Sequence, residues 1–207
     1  MNGTAPSTIL IPELNHKAIA LNIVGKTDIL TDAIPSGLDL SSGPVKKIKK
    51  PKDITPEESW QDGLYILDGT DSDWRGRVTL ENCPIEEPIF GFPASAFRAS
   101  IIDCCRTVPG VTMAQAEQMF IIMGNLIPLE FSYMDCQPEK PRTDKGILVD
   151  KYFGRFHDWS LSLLVEFDAD FIGEQMMVNL VNKAGTTVGV GKKRPKCKGS
   201  NGMFTIN

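Results

Sequence analysis

The sequence is poor in the residues that catalytic and metal-binding proteins draw on. Its 207 residues hold two histidines, His16 and His157, and five cysteines, no two of them spaced as C-x-x-C. No structural zinc site is expected from that set, and reduced thiols in a cytoplasm account for an odd cysteine count. H-E-x-x-H, G-x-S-x-G and the phosphate P-loop are all missing, so a metalloprotease, a serine hydrolase and a P-loop nucleotidase are set aside, and the expectation is a protein without catalysis, metal or cofactor. No run of about 18 uncharged apolar residues exists to cross a bilayer. The opening MNGTAPSTILIPELNHK has neither the basic start nor the cleavage pattern of a secretory leader, and a cytoplasmic protein is expected.

Acidic residues also run out. None follows Glu174, so the last 33 residues carry six positive side chains and no negative one, although the whole chain has a net charge of −4. Lys46, Lys47, Lys49, Lys50 and Lys52 form one basic patch, and Lys192, Lys193, Arg194, Lys196 and Lys198 form another; together they are 10 of the 22 basic residues. A local positive field survives an acidic total when the charge is this uneven.

What is present reads as one α+β domain over 1–207. Ile19, Leu21 and Ile23 alternate as in a half-buried strand that Gly25 ends. Residues 26–63, including SSGPVKKIKKPKDITPEES, are rich in Pro, Gly, Ser and Lys and read as a flexible insertion. Leu64 to Leu67 and Ile89 to Phe92 suit short strands, with the acidic DGTDSD between them as a solvated turn. Pro93 opens a helix carrying Phe97, Ile101 and Cys104 or Cys105, and Thr112 with Gln115 makes a capping box for a second. Ile121 to Phe131 turns strand-like, and Gln137 to Gly146 reads as a polar loop. Trp159, Leu161, Leu163, Val165 and Phe167 alternate strictly, the clearest strand. Ile172, Met176, Leu180 and Ala184 mark the clearest helix, with Gly185 as its expected C-cap. Thr186 to Val190 and Met203 to Ile206 are expected as closing strands.

The strongest functional signal is VGVGKKRPKCKGSNGMF, where Gly189, Gly191, Gly199 and Gly202 frame five cations. Glycines let a backbone approach phosphates, and cations bound to phosphates release counterions; a solvent-exposed hairpin with ordinary surface lysines is the bland alternative. KYFGRFHDW, at 151–159, mixes aromatic and basic side chains as single-strand binders do, with Tyr152 and Arg155 as candidate contacts and Phe153, Phe156 and Trp159 as core. His157 reads as structural.

FPASAFRASI, at 92–101, together with the glycine-rich ending resembles the two signatures of the RAMP superfamily, RRM-like proteins that form the backbone of CRISPR effector complexes. Nearly the whole chain is also similar to a family of small tailed-phage proteins, through Gly25, Pro93 to Arg98, Val111 to Met113, Phe156 to Trp159 and Val188 to Gly191. That family places an acidic residue and a tryptophan where this chain has Lys192 and Lys193, so the loop here is more basic than the pattern. The RAMP resemblance implies that Arg98 and the loop cations touch nucleic acid, and that copies assemble along it as a homo-oligomer or filament. It also puts Asp28 and Asp32 where some RAMP subunits carry a cleaving carboxylate.

The sequence therefore leads to an RRM/ferredoxin-like antiparallel sheet with helices on one face and a long insertion after the first strand. The expected partner is single-stranded DNA or RNA, bound without base preference through Arg98, Tyr152, Arg155, Gly189, Gly191, Lys192, Lys193, Arg194, Lys196, Lys198 and Gly199. The setting implied by the phage resemblance is replication, recombination or counter-defence. A protein-interaction module, such as a virion component or an inhibitor of a host defence complex, is the first alternative, and a metal-dependent nuclease using Asp28 or Asp32 the second.

Overall fold

The computed structural model describes residues 13–33, 55–70, 73–82, 89–140, 146, 148 and 150–207. Strand β1 (His16–Gly25) is the centre of the larger sheet. Its alternation buries Leu21 and Ile23 and leaves Ala18, Ala20 and Asn22 on the open side, the period-2 pattern of a sheet with one covered face. Other chain segments follow as β2 (Ile29–Thr31), α1 (Pro56–Asp62), α2 (Trp74–Arg77), β3 (Gly91–Pro93), α3 (Ala94–Cys104), α4 (Met113–Met119), β4 (Phe120–Ile122), β5 (Leu126–Pro128), β6 (Tyr133–Glu139), β7 (Lys151–His157), β8 (Ser160–Asp168), α5 (Glu174–Thr187) and β9 (Phe204–Ile206).

Four strands form an antiparallel sheet in the order β4-β8-β1-β9. Taken with α3 and α5, they follow one another along the chain as β-α-β-β-α-β, the ferredoxin-type order. Leu161, Leu163, Val165 and Phe167 of β8 are buried against Phe97 and Ile101 of α3 and Met177, Leu180, Val181 and Ala184 of α5. Phe97 is the hub: its ring meets Phe92 at 5.8 Å, Phe204 at 5.3 Å and Trp159 at 6.4 Å.

The expected single sheet is divided. Strands β2, β7 and β6 make a second antiparallel sheet, and β3 pairs with β5. The division has a local cause. A Cβ at Gly25 would stand 2.3 Å from Trp159 Nε1, and that nitrogen donates to the Thr27 carbonyl at 2.8 Å. On the opposite strand Asp158 takes a left-handed φ of 48° between β7 and β8, so both chains pass from one sheet to the other at the same corner.

The insertion reading is corrected at both of its ends. Ile29, Leu30 and Thr31 are at most 1% exposed in β2. At the other end Thr55 and Glu58 close a capping box on α1. Trp60 is buried there, and Gln61 Nε2 donates to the carbonyls of Arg75 and Val78 at 2.9 and 2.8 Å. Lys46, Lys47, Lys49, Lys50 and Lys52 lie outside the described residues, as do 71 and 72 of the acidic stretch. The Leu64 to Leu67 strand shrinks to one bridge, Ile66 to Phe90.

Helix α3 and the Thr112–Gln115 capping box of α4 stand as expected. Helix α5 begins and ends later in the chain than expected and is turned: Met177 and Val181 face inward, while Met176 is 59% exposed. Gly185 is not its cap but sits inside it, where a Cβ would approach the Phe204 carbonyl oxygen to 2.2 Å. The expected strand Thr186 to Val190 is the last turn of that helix and the start of the loop. The polar loop from Gln137 is likewise corrected, because β6 runs through Glu139.

Candidate nucleic-acid interface

The glycine-rich basic segment is a built loop rather than an open hairpin. Val188 and Gly189 N–H both donate to the Ala184 carbonyl at 2.9 Å, capping α5. From there the loop is laced to the β1–β2 connection: Lys192 N–H donates to Leu30 O at 3.0 Å, Gly202 N–H to Asp28 O at 2.7 Å and Met203 N–H to Thr27 Oγ1 at 3.0 Å. Its glycines are explained by its own backbone. A Cβ at Gly199 would lie 1.8 Å from Lys193 O, and one at Gly202 would lie 1.8 Å from Val190 O. Gly189 is buried and Gly191 packs on the Leu30 carbonyl, so both shape the loop, and both also line a cleft on its α3 side.

The cations are held by carboxylates from distant parts of the chain. Lys192 pairs with Asp32 at 2.8 Å, and Lys151 reaches the same oxygen at 2.6 Å. Lys193 pairs with Glu139. Lys196 pairs with Asp103 at 2.8 Å, and Arg106 meets that carboxylate at 3.1 Å. Arg194 donates to Gly191 O at 2.8 Å, bracing the loop, and neither it nor Lys198 meets a carboxylate among the described residues. Because Asp32 and Asp103 each answer two cations, the surface keeps a positive surplus around the loop.

Strand alternation sorts the remaining residues. On β7, Lys151, Phe153, Arg155 and His157 share one face, opposite Glu139, Gln137, Asp135 and Tyr133 of β6. Leu30 and Phe153 are buried on this side, apart from the main core. Arg155 grips Asp135 with two bonds, Nε to Oδ1 at 2.7 Å and Nη2 to Oδ2 at 2.5 Å. That contact is the main reason the Asp135 carboxyl is held below its ordinary 3.8 and the guanidinium is pushed above its usual value. His157 sits between two carboxylates, Nδ1 to Asp28 at 3.0 Å and Nε2 to Asp135 at 3.2 Å. Tyr133 stacks on its ring, with centroids 3.9 Å apart and planes 7° off parallel.

Of the residues expected to bind, the structure gathers Lys192, Lys193 and Arg155 around this face. Tyr152 is half-buried on the opposite side of β7. Arg98 points elsewhere: its Nη2 donates to Glu117 O at 2.6 Å and its guanidinium lies 5.9 Å from the Phe120 ring, fastening α3 to α4. Asp28 and Asp32 stand on either side of β2, both already engaged. No group of three or more His, Cys, Asp and Glu side chains is placed to hold a metal among the described residues. On the α3 side the loop leaves a cleft of about 110 Å³ lined by Ala96, Ala99, Ser100, Asp103, Arg194 and Lys196. The Ser100 hydroxyl in that wall is buried and has no hydrogen-bond partner. Sequence reasoning missed Tyr133, Asp135 and Glu139, although YMDCQPE alternates in the way a strand does.

Fold and site together define an α+β protein of antiparallel sheets and helices that carries a braced, partly neutralised basic loop. No helix among the described residues is long and apolar enough to cross a membrane. No protein-family model matches the chain, and no curated protein matches it. Among solved structures it is similar to Cmr6 from Pyrococcus furiosus, with a TM-score of 0.43 and 8% identity over 94% of this chain and 100% of that one. A likeness of that size carries no conclusion about function, which rests on the site.

Proposed function

We propose that the chain binds single-stranded DNA or RNA without cutting it and largely without base preference, holding phosphates along Lys192, Lys193, Arg194, Lys196 and Lys198 with Lys151 beside them. The observation that carries this reading is the braced loop with surplus positive charge: its cations stand on a backbone fixed by hydrogen bonds to the β1–β2 connection, so little side-chain and loop ordering remains to be done on binding. The cleft beneath it, with Arg194, Lys196 and an unpartnered Ser100 hydroxyl, has room for a phosphate group. Assembly of copies along the ligand, and a role in phage replication, recombination or counter-defence in a bacterial cytoplasm, extend the same reading from the family resemblances.

A second reading, a protein-interaction module, is favoured by a different surface. The open side of the larger sheet exposes Ile121 at 46%, Met123 at 41% and Leu164 at 44%, an apolar face of the kind partner proteins cover.

Fluorescence anisotropy of labelled single-stranded DNA and RNA across a salt series distinguishes the two. Affinity should fall linearly in log–log form, with a slope near −0.7 for each phosphate neutralised. It should weaken, and the slope flatten, in a Lys192→Gln, Lys193→Gln, Lys198→Gln variant. The absence of binding to either polymer at low salt refutes the nucleic-acid reading and leaves the interaction module.

A further inference from the structure

Tyr133 has a property the loop lacks, an aromatic face that is both exposed and fixed. Its residue is 51% exposed, yet one side of the ring lies flat on His157, so the exposure belongs to the other side and the rim. His157 is itself immobilised, with one ring nitrogen on Asp28 and the other on Asp135, which Arg155 clamps in turn. The turn beyond it is pinned as well: Ser132 Oγ donates to Asp158 Oδ2 at 2.9 Å, and Asp158 is held in its left-handed conformation. A non-glycine residue in that region persists where surrounding contacts determine it.

We infer that the outer face of Tyr133 is a stacking platform for a nucleobase, and that the bound strand runs from it along β6 toward the loop lysines. This rests on the nucleic-acid reading above and adds where a base sits. Tyr133 and Glu139, the partner of Lys193, lie at opposite ends of one strand and on one face, on the order of 20 Å apart at about 3.4 Å per residue. A strand covering that distance has phosphates at the lysine end and a base at the aromatic end. Stacking also needs no acid to be displaced, whereas each phosphate at Lys192 or Lys193 competes with Asp32 or Glu139. Every base has a π-face, so the contact adds affinity without base preference.

The test separates bases from phosphates. A single-stranded oligomer and an abasic oligomer with the same number of phosphates are titrated against wild type, Tyr133→Ala and Tyr133→Phe. Wild type should bind the natural oligomer about 5- to 150-fold more tightly than the abasic one, the range for loss of a single aromatic stack. Tyr133→Ala should lose that advantage while keeping the wild-type salt slope and melting temperature, and Tyr133→Phe should keep both. Equal affinity of wild type for the two oligomers, or an unchanged Tyr133→Ala, overturns the platform and leaves the loop reading standing. A free nucleoside monophosphate that competes as well as the oligomer makes the site a mononucleotide pocket and overturns it too. No binding of any oligomer removes the underlying reading instead.

Discussion

On the proposed nucleic-acid reading, removing an acidic residue should make this protein bind more tightly, because the loop cations are paired with carboxylates that a phosphate would have to replace. Glu139 is the cleanest case: it belongs to β6, and its partner Lys193 is about half exposed. An ion pair with one partner this open is worth roughly 0.2–1 kcal/mol, so in Glu139→Gln the ligand no longer has to break it. That corresponds to a gain of about 1.4- to fivefold, at 1.4 kcal/mol for each factor of ten. Loss of the negative charge beside the strand acts in the same direction. The salt slope should steepen, since a phosphate on Lys193 then leaves no bare carboxylate to attract a cation in its place. Anisotropy titrations at four or five salt concentrations measure both quantities. Glu174→Gln is the control for net charge, because it stands at the far end of α5, about 20 Å away at 1.5 Å per residue. An equal gain in that control, weaker binding in Glu139→Gln, or a gain undiminished by Lys193→Gln in the same chain refutes the reasoning.

Other consequences follow from packing and charge. Phe97→Ala removes a fully buried ring in contact with three others and should cost about 3–5 kcal/mol in denaturant unfolding. Gly185→Ala should also destabilise, by about 1–3 kcal/mol, despite alanine's better helix propensity, because the new Cβ meets the Phe204 backbone oxygen; an unchanged midpoint would show that β9 yields freely. Asp135 has a folded-state pKa lowered from 3.8, so its contribution to stability is present above that value and lost as pH falls through the lower folded value. The gap in melting temperature between wild type and Asp135→Asn should therefore be open at neutral pH and close below about pH 4, and a gap independent of pH would mean that the Arg155 contact does not stabilise the fold.

The parts of the fold that the sequence reveals are those fixed by neighbours in the chain. The strand ending at Phe167, the helix opened by Pro93 and the Thr112 capping box depend on alternation, helical spacing or a bond three residues away. Strand β2 is hidden because two apolar residues and a threonine within a polar stretch are too few to show a period, and their burial is decided by pairing with Phe156, Arg155 and Gly154 far along the chain. The end of α5 is not legible because Gly185 has two possible reasons to be glycine, a left-handed cap or a close approach, and local sequence does not separate them. The site was half legible for the same reason. A count finds the lysines, but the acids that hold them are 119 residues away for Lys151 and 54 for Lys193. Tyr152 and Arg155 look equivalent in KYFGRFHDW until the pleat of β7 sends them to opposite faces.

The ion pairs alter what the basic loop can be expected to do. Five like charges on seven residues would repel one another and spread a flexible loop, raising the entropy lost when it closes on a ligand. Asp32, Glu139 and Asp103 remove part of that repulsion, and the glycine-shaped backbone fixes where each cation stands. On the proposed reading the same carboxylates compete with phosphates, so the loop is ordered in advance at the expense of strength at each contact. Such a surface gains affinity by adding contacts along a polymer rather than by gripping one group. Single phosphates should bind poorly and longer strands progressively better, until the strand outruns the distance between the proposed Tyr133 platform and the loop.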